Sequence, residues 1–140
     1  MPDSATPALD DALRQLRPAV ALAPETPADD LLHRALRPIL KLHNERLLQL
    51  VADFARDYRL PLATAAPADQ QRLLDELLRR NARLQHTAAG LVTALLTSEE
   101  YAYYRQYRPE VHRRLLELLR QRVLSQTAAV VALAAEAGTP

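Results

Sequence analysis

Leu74, Leu77, Asn81, Leu84, Ala88, Leu91 and Leu95 stand alternately three and four residues apart without a break. Side chains at that spacing share one stripe of a helix, which makes this stretch an a/d seam of about three heptads. Asn81 is its one polar member. Such a stripe is covered best by other helices, so the chain is expected to be built of helices lying along one another. Its residue content agrees, with 28 leucines and 25 alanines against one isoleucine, seven valines and two glycines. Leucine and alanine favour helix, whereas the β-branched residues that favour strands are scarce. The expected fold class is all-α.

Prolines and caps divide the chain. Thr6-Pro7 signals the start of a short helix from Ala8 to Arg17, with Thr6 as N-cap and Pro7 in the first turn. Pro18 to Glu25 is rich in proline and alanine and reads as a linker. Thr26-Pro27 repeats the start signal, with Asp29 and Asp30 where the helix dipole favours acids. A first long helix is expected from Pro27 to about Tyr58, with Leu32, Leu36, Ile39, Leu40, His43, Leu47, Leu50, Phe54 and, at its end, Tyr58 on its buried stripe. Pro38 lacks an N–H and clashes with the carbonyl four residues back, which predicts a kink near Arg34–Arg37. Pro61 ends this helix in a loop, Leu60 to Ala66.

The seam then occupies a second helix, Pro67 to Leu96, about 45 Å long at 1.5 Å per residue. Gly90 inside it costs roughly 1 kcal/mol relative to alanine, so either a neighbouring backbone packs close there or the helix bends. Thr97 and Glu100 have the spacing of a capping box and start a third long helix, with a further kink at Pro109. Short connections between three long helices give an antiparallel up-down-up bundle, kinked near Pro38 and Pro109, with a short N-terminal helix in front. The expected division is an acidic N-terminal segment (1–26), one helical-bundle domain (27–135) and a frayed C-terminus (136–140). Leucine doublets at 31–32, 47–48, 73–74, 77–78, 115–116 and 118–119 widen the apolar faces beyond what three helices cover, which favours a homodimer. Leu36, Leu40, Asn44, Arg46 and Leu47 recur as Leu73, Leu77, Asn81, Arg83 and Leu84. In a chain this rich in leucine and arginine, that echo reads as coincidence.

The chain has no cysteine, which excludes disulfides and thiolate metal sites. Met1-Pro2-Asp3-Ser4 offers neither the basic nor the apolar region of a signal peptide. The apolar run Ala128 to Ala135 is far short of the ~20 residues that span a bilayer, so a cytoplasmic location and no membrane partner are expected. Net charge is +1 but uneven: residues 1–30 sum to −4 and residues 31–126 to +6. The acidic N-terminal segment is expected to be an unpaired solvated tail, with folding against the basic bundle as the alternative. Of 18 basic residues 17 are arginine, which reads first as the codon bias of a GC-rich genome and only second as a choice of the side chain suited to bidentate and stacking contacts.

Chemistry-bearing patterns are few. His33, His43, His86 and His112 include no pair one turn apart, and no Glu-x-x-His or His-Glu-x-x-His pattern occurs, so no metal or other cofactor is expected. His43 lies on the apolar stripe of the first helix and is expected to be a hydrogen-bonded core histidine. Asn81 at an a position is expected to set register and partner number. There is no glycine-rich phosphate loop, cysteine nucleophile or serine elbow, and no catalytic residue is assigned.

His86 falls at an f position of the seam's heptad, on its outer face, with Gly90 one turn on. His86-Thr87-Ala88-Ala89-Gly90 resembles part of the histidine-phosphotransfer motif, in which a helical bundle offers an exposed imidazole to the aspartyl phosphate of a receiver domain. That resemblance implies His86 as phosphoacceptor. The lysine that the family carries three residues after its histidine is Ala89 here.

Tyr101, Tyr103, Tyr104 and Tyr107 hold four of the five tyrosines, interleaved with Arg105 and Arg108 and followed by Arg113 and Arg114. Tyr101 and Tyr104 are expected to pack partly into the bundle, and because tyrosine and arginine are enriched at protein–protein hot spots, Tyr103, Tyr107, Arg105 and Arg108 make a candidate interaction surface. Nucleic-acid binding through Tyr101–Arg114 is the less favoured use, because glutamates dilute the stretch and the pI is only about 8.2. The sequence therefore points to a non-catalytic helical interaction module, adaptor or chaperone-like, that self-associates and binds an unidentified protein.

Overall fold

The computed structural model describes residues 5–20 and 31–136. The linker from residue 21, the helix start at Thr26-Pro27 and the end beyond residue 136 lie outside the described residues. Every regular element within them is helical: α1 (Ala5–Leu16), a π-helical turn (Leu32–Leu36), α2 (Arg37–Leu42), α3 (Asn44–Asp57), α4 (Pro67–Arg80), α5 (Ala82–Thr93), α6 (Ser98–Gln106), α7 (Arg108–Leu124) and α8 (Thr127–Glu136). The all-α class stands. Three uninterrupted long helices do not, because each is cut, and the chain clusters into two compact units. One is Met1–His43 with Ala89–Leu115; the other is Asn44–Ala88 with Leu116–Pro140.

In the first unit the break around Pro38 has a definite form. The residues before it widen into the π-helical turn, and Pro38 takes a place in the first turn of α2, where its missing N–H leaves no gap. Leu31, Ala35, Leu36, Ile39 and Leu40 are buried there with Ala89, Val92, Leu96, Val111 and Leu115. His43 closes α2 with φ −91° and ψ 11° and donates its backbone N–H to the Ile39 carbonyl. It is half-buried at a helix end, not on the stripe of a continuous helix.

In the second unit α3 packs against α8 and α4, and α4 packs against α8. Leu47, Leu48, Val51, Phe54, Leu74, Leu77, Leu78, Leu84, Leu119, Val123 and Val130 form its core. Burying a leucine or valine side chain contributes about 1.5–3 kcal/mol, so this cluster dominates the stability of the unit. Of the doublet leucines whose side chains are described, none is exposed. These leucines are thus at least half covered within one chain.

The seam helix is cut at Asn81, whose φ −88° and ψ 102° are extended. Its side-chain Oδ1 accepts from the Leu84 N–H at 2.9 Å, so it caps the start of α5. Gln85 Nε2 donates to the carbonyls of Leu78 (2.8 Å) and Arg79 (3.0 Å), both in the last turn of α4. Asparagine competes with the helix backbone through its own side chain and favours caps over interiors, which explains why the apolar pattern runs on while the helix does not. Beyond the cut the burial shifts by one residue: Val92 and Leu96 are buried and Leu91 and Leu95 only half so.

Gly90 has open space where a Cβ would stand, so no close backbone accounts for it. At the end of α3, Arg59 has φ 53°, Leu60 N–H donates to Ala55 O and Arg59 N–H to Arg56 O, both at 2.9 Å. This is a Schellman cap with arginine at the left-handed position.

Candidate functional site

Helix α6 begins as the sequence predicts. Thr97 Oγ1 accepts from the Glu100 N–H, and Glu100 Oε1 accepts from the Thr97 N–H at 2.9 Å. The sequence does not signal the second use of Glu100. Its carboxylate is buried and takes a bidentate pair from Arg17, Nη2 to Oε1 at 2.6 Å and Nη1 to Oε2 at 2.8 Å. Only 8% of the Arg17 side chain and 3% of the Glu100 side chain are exposed, which places the pair among buried rather than surface bridges. Arg34 Nε adds a third contact, 3.5 Å from Oε2.

Arg17 also collects two carbonyls that helix breaks leave over. Nη1 donates to Arg34 O at 3.1 Å, the carbonyl that Pro38 cannot serve, and Nη2 donates to Leu95 O at 3.1 Å, just past the end of α5. From α1, Asp10 Oδ1 accepts from the Ser98 backbone N–H (3.0 Å) and hydroxyl (3.3 Å). Two carboxylates thus meet the N-terminus of α6, where the dipole favours them. The N-terminal segment is therefore no solvated tail over its described part: Asp10 and Arg17 fasten it to α6. Arg14, Arg17, Pro18, Arg34, Pro38, Thr97, Glu99 and Glu100 line an open cleft of about 320 Å3 at this junction.

Electrostatics at Glu100 follow from these contacts. Burial pushes its carboxyl up, but the hydrogen bonds from Arg17 and Thr97 and the Arg17 charge outweigh it and hold the group below the usual carboxylate range.

The remainder of α6 is uncovered. From Tyr101 to Glu110 every residue is exposed except Tyr104, which is half-buried. Tyr101, Tyr103 and Tyr107 keep 43%, 46% and 41% of their surface in solvent. The rings pair along the helix, Tyr103 with Tyr107 at 4.7 Å between centroids and Tyr101 with Tyr104 at 5.8 Å. Arg108 lies over the Tyr104 ring at 5.3 Å. The helix stops at Tyr107 (φ −118°, ψ 36°), and α7 restarts with Pro109 in its first turn, so the Pro109 kink is a full interruption. The structure thus brings Tyr103, Tyr107, Arg105 and Arg108 together on one short exposed segment.

The other sequence candidates lie elsewhere. Asn81 and His43 each stand at a helix break, His43 closing α2 and Asn81 closing α4. His86 is exposed on α5. Ala89, at the place of the phosphotransfer family's lysine, is buried, so that position turns toward the core and not toward the imidazole. Among the described residues no three His, Asp or Glu side chains stand close enough to hold a metal ion, and no helix is long and apolar enough to cross a membrane. In the second unit Asn44 and Gln126 exchange a reciprocal pair of amide hydrogen bonds at 2.9 and 2.8 Å, with Arg122 donating to Asn44 Oδ1 at 3.1 Å. Arg120 there pairs with Asp75 at 2.7 Å, which holds its guanidinium above the ordinary value.

No family model, curated protein or solved structure matches this chain.

Proposed function

We propose that the chain is a non-catalytic interaction module, adaptor or chaperone-like, which meets a protein partner through α6 and the first turn of α7. The observation that supports this is the exposure of Tyr101, Tyr103 and Tyr107 on a helix fastened through the buried Glu100 of its first turn. Large aromatic rings left in water together form the kind of patch that partners cover, and tyrosine brings contact area with few rotors to freeze. Fastening matters as much as exposure, because a surface fixed beforehand loses less freedom on binding.

The test is a photo-crosslinking amino acid at position 103, with the exposed position 79 of α4 as control, in cells that express the chain naturally. A discrete adduct from position 103 and none from position 79 is the expected result. Equal labelling from both positions, or none from 103, contradicts the proposal.

A further inference from the structure

Among the charged and aromatic surfaces of the chain, the α6–α7 junction carries the most chemistry. Residues 101–115 hold four arginines, Arg105, Arg108, Arg113 and Arg114, against the single Glu110, for a charge of +3 with histidine neutral. At the other end of α6 Glu100 is buried against Arg17 and Glu99 lines the cleft. Two exposed arginines elsewhere, by contrast, pair within the chain: Arg14 with Asp11, and Arg72 with Asp69 and Glu76. Among the described residues, Arg105 and Arg108 have no carboxylate within 4.0 Å. Arg108 is held over Tyr104, and a stacked guanidinium keeps its edge free to present a two-toothed fork to a carboxylate.

We infer that the occupant of this face is an acidic segment of a partner protein, its carboxylates on Arg105 and Arg108 and its apolar side chains on the rings of Tyr101, Tyr103 and Tyr107. This rests on the proposal that α6 is an interaction surface, and it names the chemistry of what binds there. Charge complementarity selects this occupant over two others. A second copy would bring one +3 surface against another, and facing like charges oppose docking. A nucleic-acid strand carries a phosphate at each nucleotide and needs a continuous basic track. Here Glu110 interrupts the track, and the rings are already paired with one another at 4.7 and 5.8 Å.

The experiment is a fluorescence-anisotropy titration of the full chain with three labelled probes: a peptide alternating glutamate with leucine and phenylalanine, the same peptide with lysine for glutamate, and an oligouridylate. R105E/R108E and Y103A/Y107A variants are titrated in parallel, with circular dichroism as a folding check, since all four side chains are exposed. Light scattering follows the mass. The expected result is binding of the acidic peptide alone, weakening with salt and at least about tenfold weaker in R105E/R108E. The inference is overturned by no binding of the acidic peptide, by binding that R105E/R108E leaves unchanged, or by preference for oligouridylate. Preference for the basic peptide, lost in Y103A/Y107A, overturns it while leaving the interaction surface standing. A doubling of mass abolished by R105E/R108E assigns the face to a second copy and also overturns it. The crosslinking experiment at position 103 decides separately whether the face is used at all.

Discussion

Arg17 holds Glu100 across 83 residues of chain through two hydrogen bonds of 2.6 and 2.8 Å. The same guanidinium takes the Arg34 and Leu95 carbonyls, so four chain segments meet at one side chain. Pro38 and the end of α5 each leave a carbonyl without a helical partner, and Arg17 has the five donors to serve both along with a carboxylate. The clamp fixes the first turn of α6 and leaves its later turns, with their tyrosines, in solvent.

Acid should loosen this clamp. Glu100 has its folded-state pKa below the ordinary value of 4.5, so the unfolded chain takes up the proton first as pH falls. The contribution of the pair is fully present above about pH 4.5 and is lost as pH falls through the lowered folded value, with Arg17 and Arg34 as the charged partners facing the carboxylate. Urea unfolding between pH 3 and 6 should show a fall of up to about 1.4 kcal/mol per pH unit that Glu100→Gln removes. An unchanged slope in Glu100→Gln would assign the acid lability to other carboxylates.

Asn81 separates two accounts of the seam. As a polar residue inside a continuous helix it would cost stability, and Asn81→Leu would raise it. As the cap of α5, bonded to the Leu84 N–H at 2.9 Å, it is worth about 1 kcal/mol. Thermal melts should therefore find Asn81→Leu and Asn81→Ala both destabilised by about that amount and Asn81→Ser close to wild type. Stabilisation by leucine would restore the uninterrupted helix.

Two backbone positions are open to improvement. Gly90 lies inside α5 with nothing within 4 Å of an added Cβ, so Gly90→Ala should stabilise by about 1 kcal/mol. Arg59 sits at φ 53°, where a Cβ is strained, and Arg59→Gly should stabilise by up to about 1 kcal/mol. Denaturant midpoints with unchanged slopes are the measurement, and a loss of stability at either site contradicts the helical setting of Gly90 or the left-handed setting of Arg59.

The local features of the fold were legible because their causes are local. The Thr97–Glu100 box, the start at Pro67 and the disruptions at Pro38 and Pro109 each depend on residues within one turn. The cut at Asn81 was missed because the heptad pattern continues through it: a cap leaves apolar spacing intact, and only the side-chain bond to Leu84 reveals it. Asn44 and Asn81, equivalent in the sequence echo, both stand at helix breaks, Asn44 opening α3 just after His43. At the candidate site, the tyrosine–arginine cluster was visible as a run of residue types. Its anchor was not, since no spacing rule joins Asp10 or Arg17 to α6. An arginine ending a short helix before a proline looks the same whether it faces water or a carboxylate 83 residues away.

The central claim, that a buried Arg17–Glu100 clamp fixes α6, is tested most directly by a double-mutant cycle of Arg17→Met and Glu100→Gln in urea unfolding. Each single change strands one partner and should cost about 3–5 kcal/mol, while the double change costs far less than their sum, a coupling of at least about 2 kcal/mol. A coupling below about 0.5 kcal/mol, the value of independent sites, would contradict the clamp.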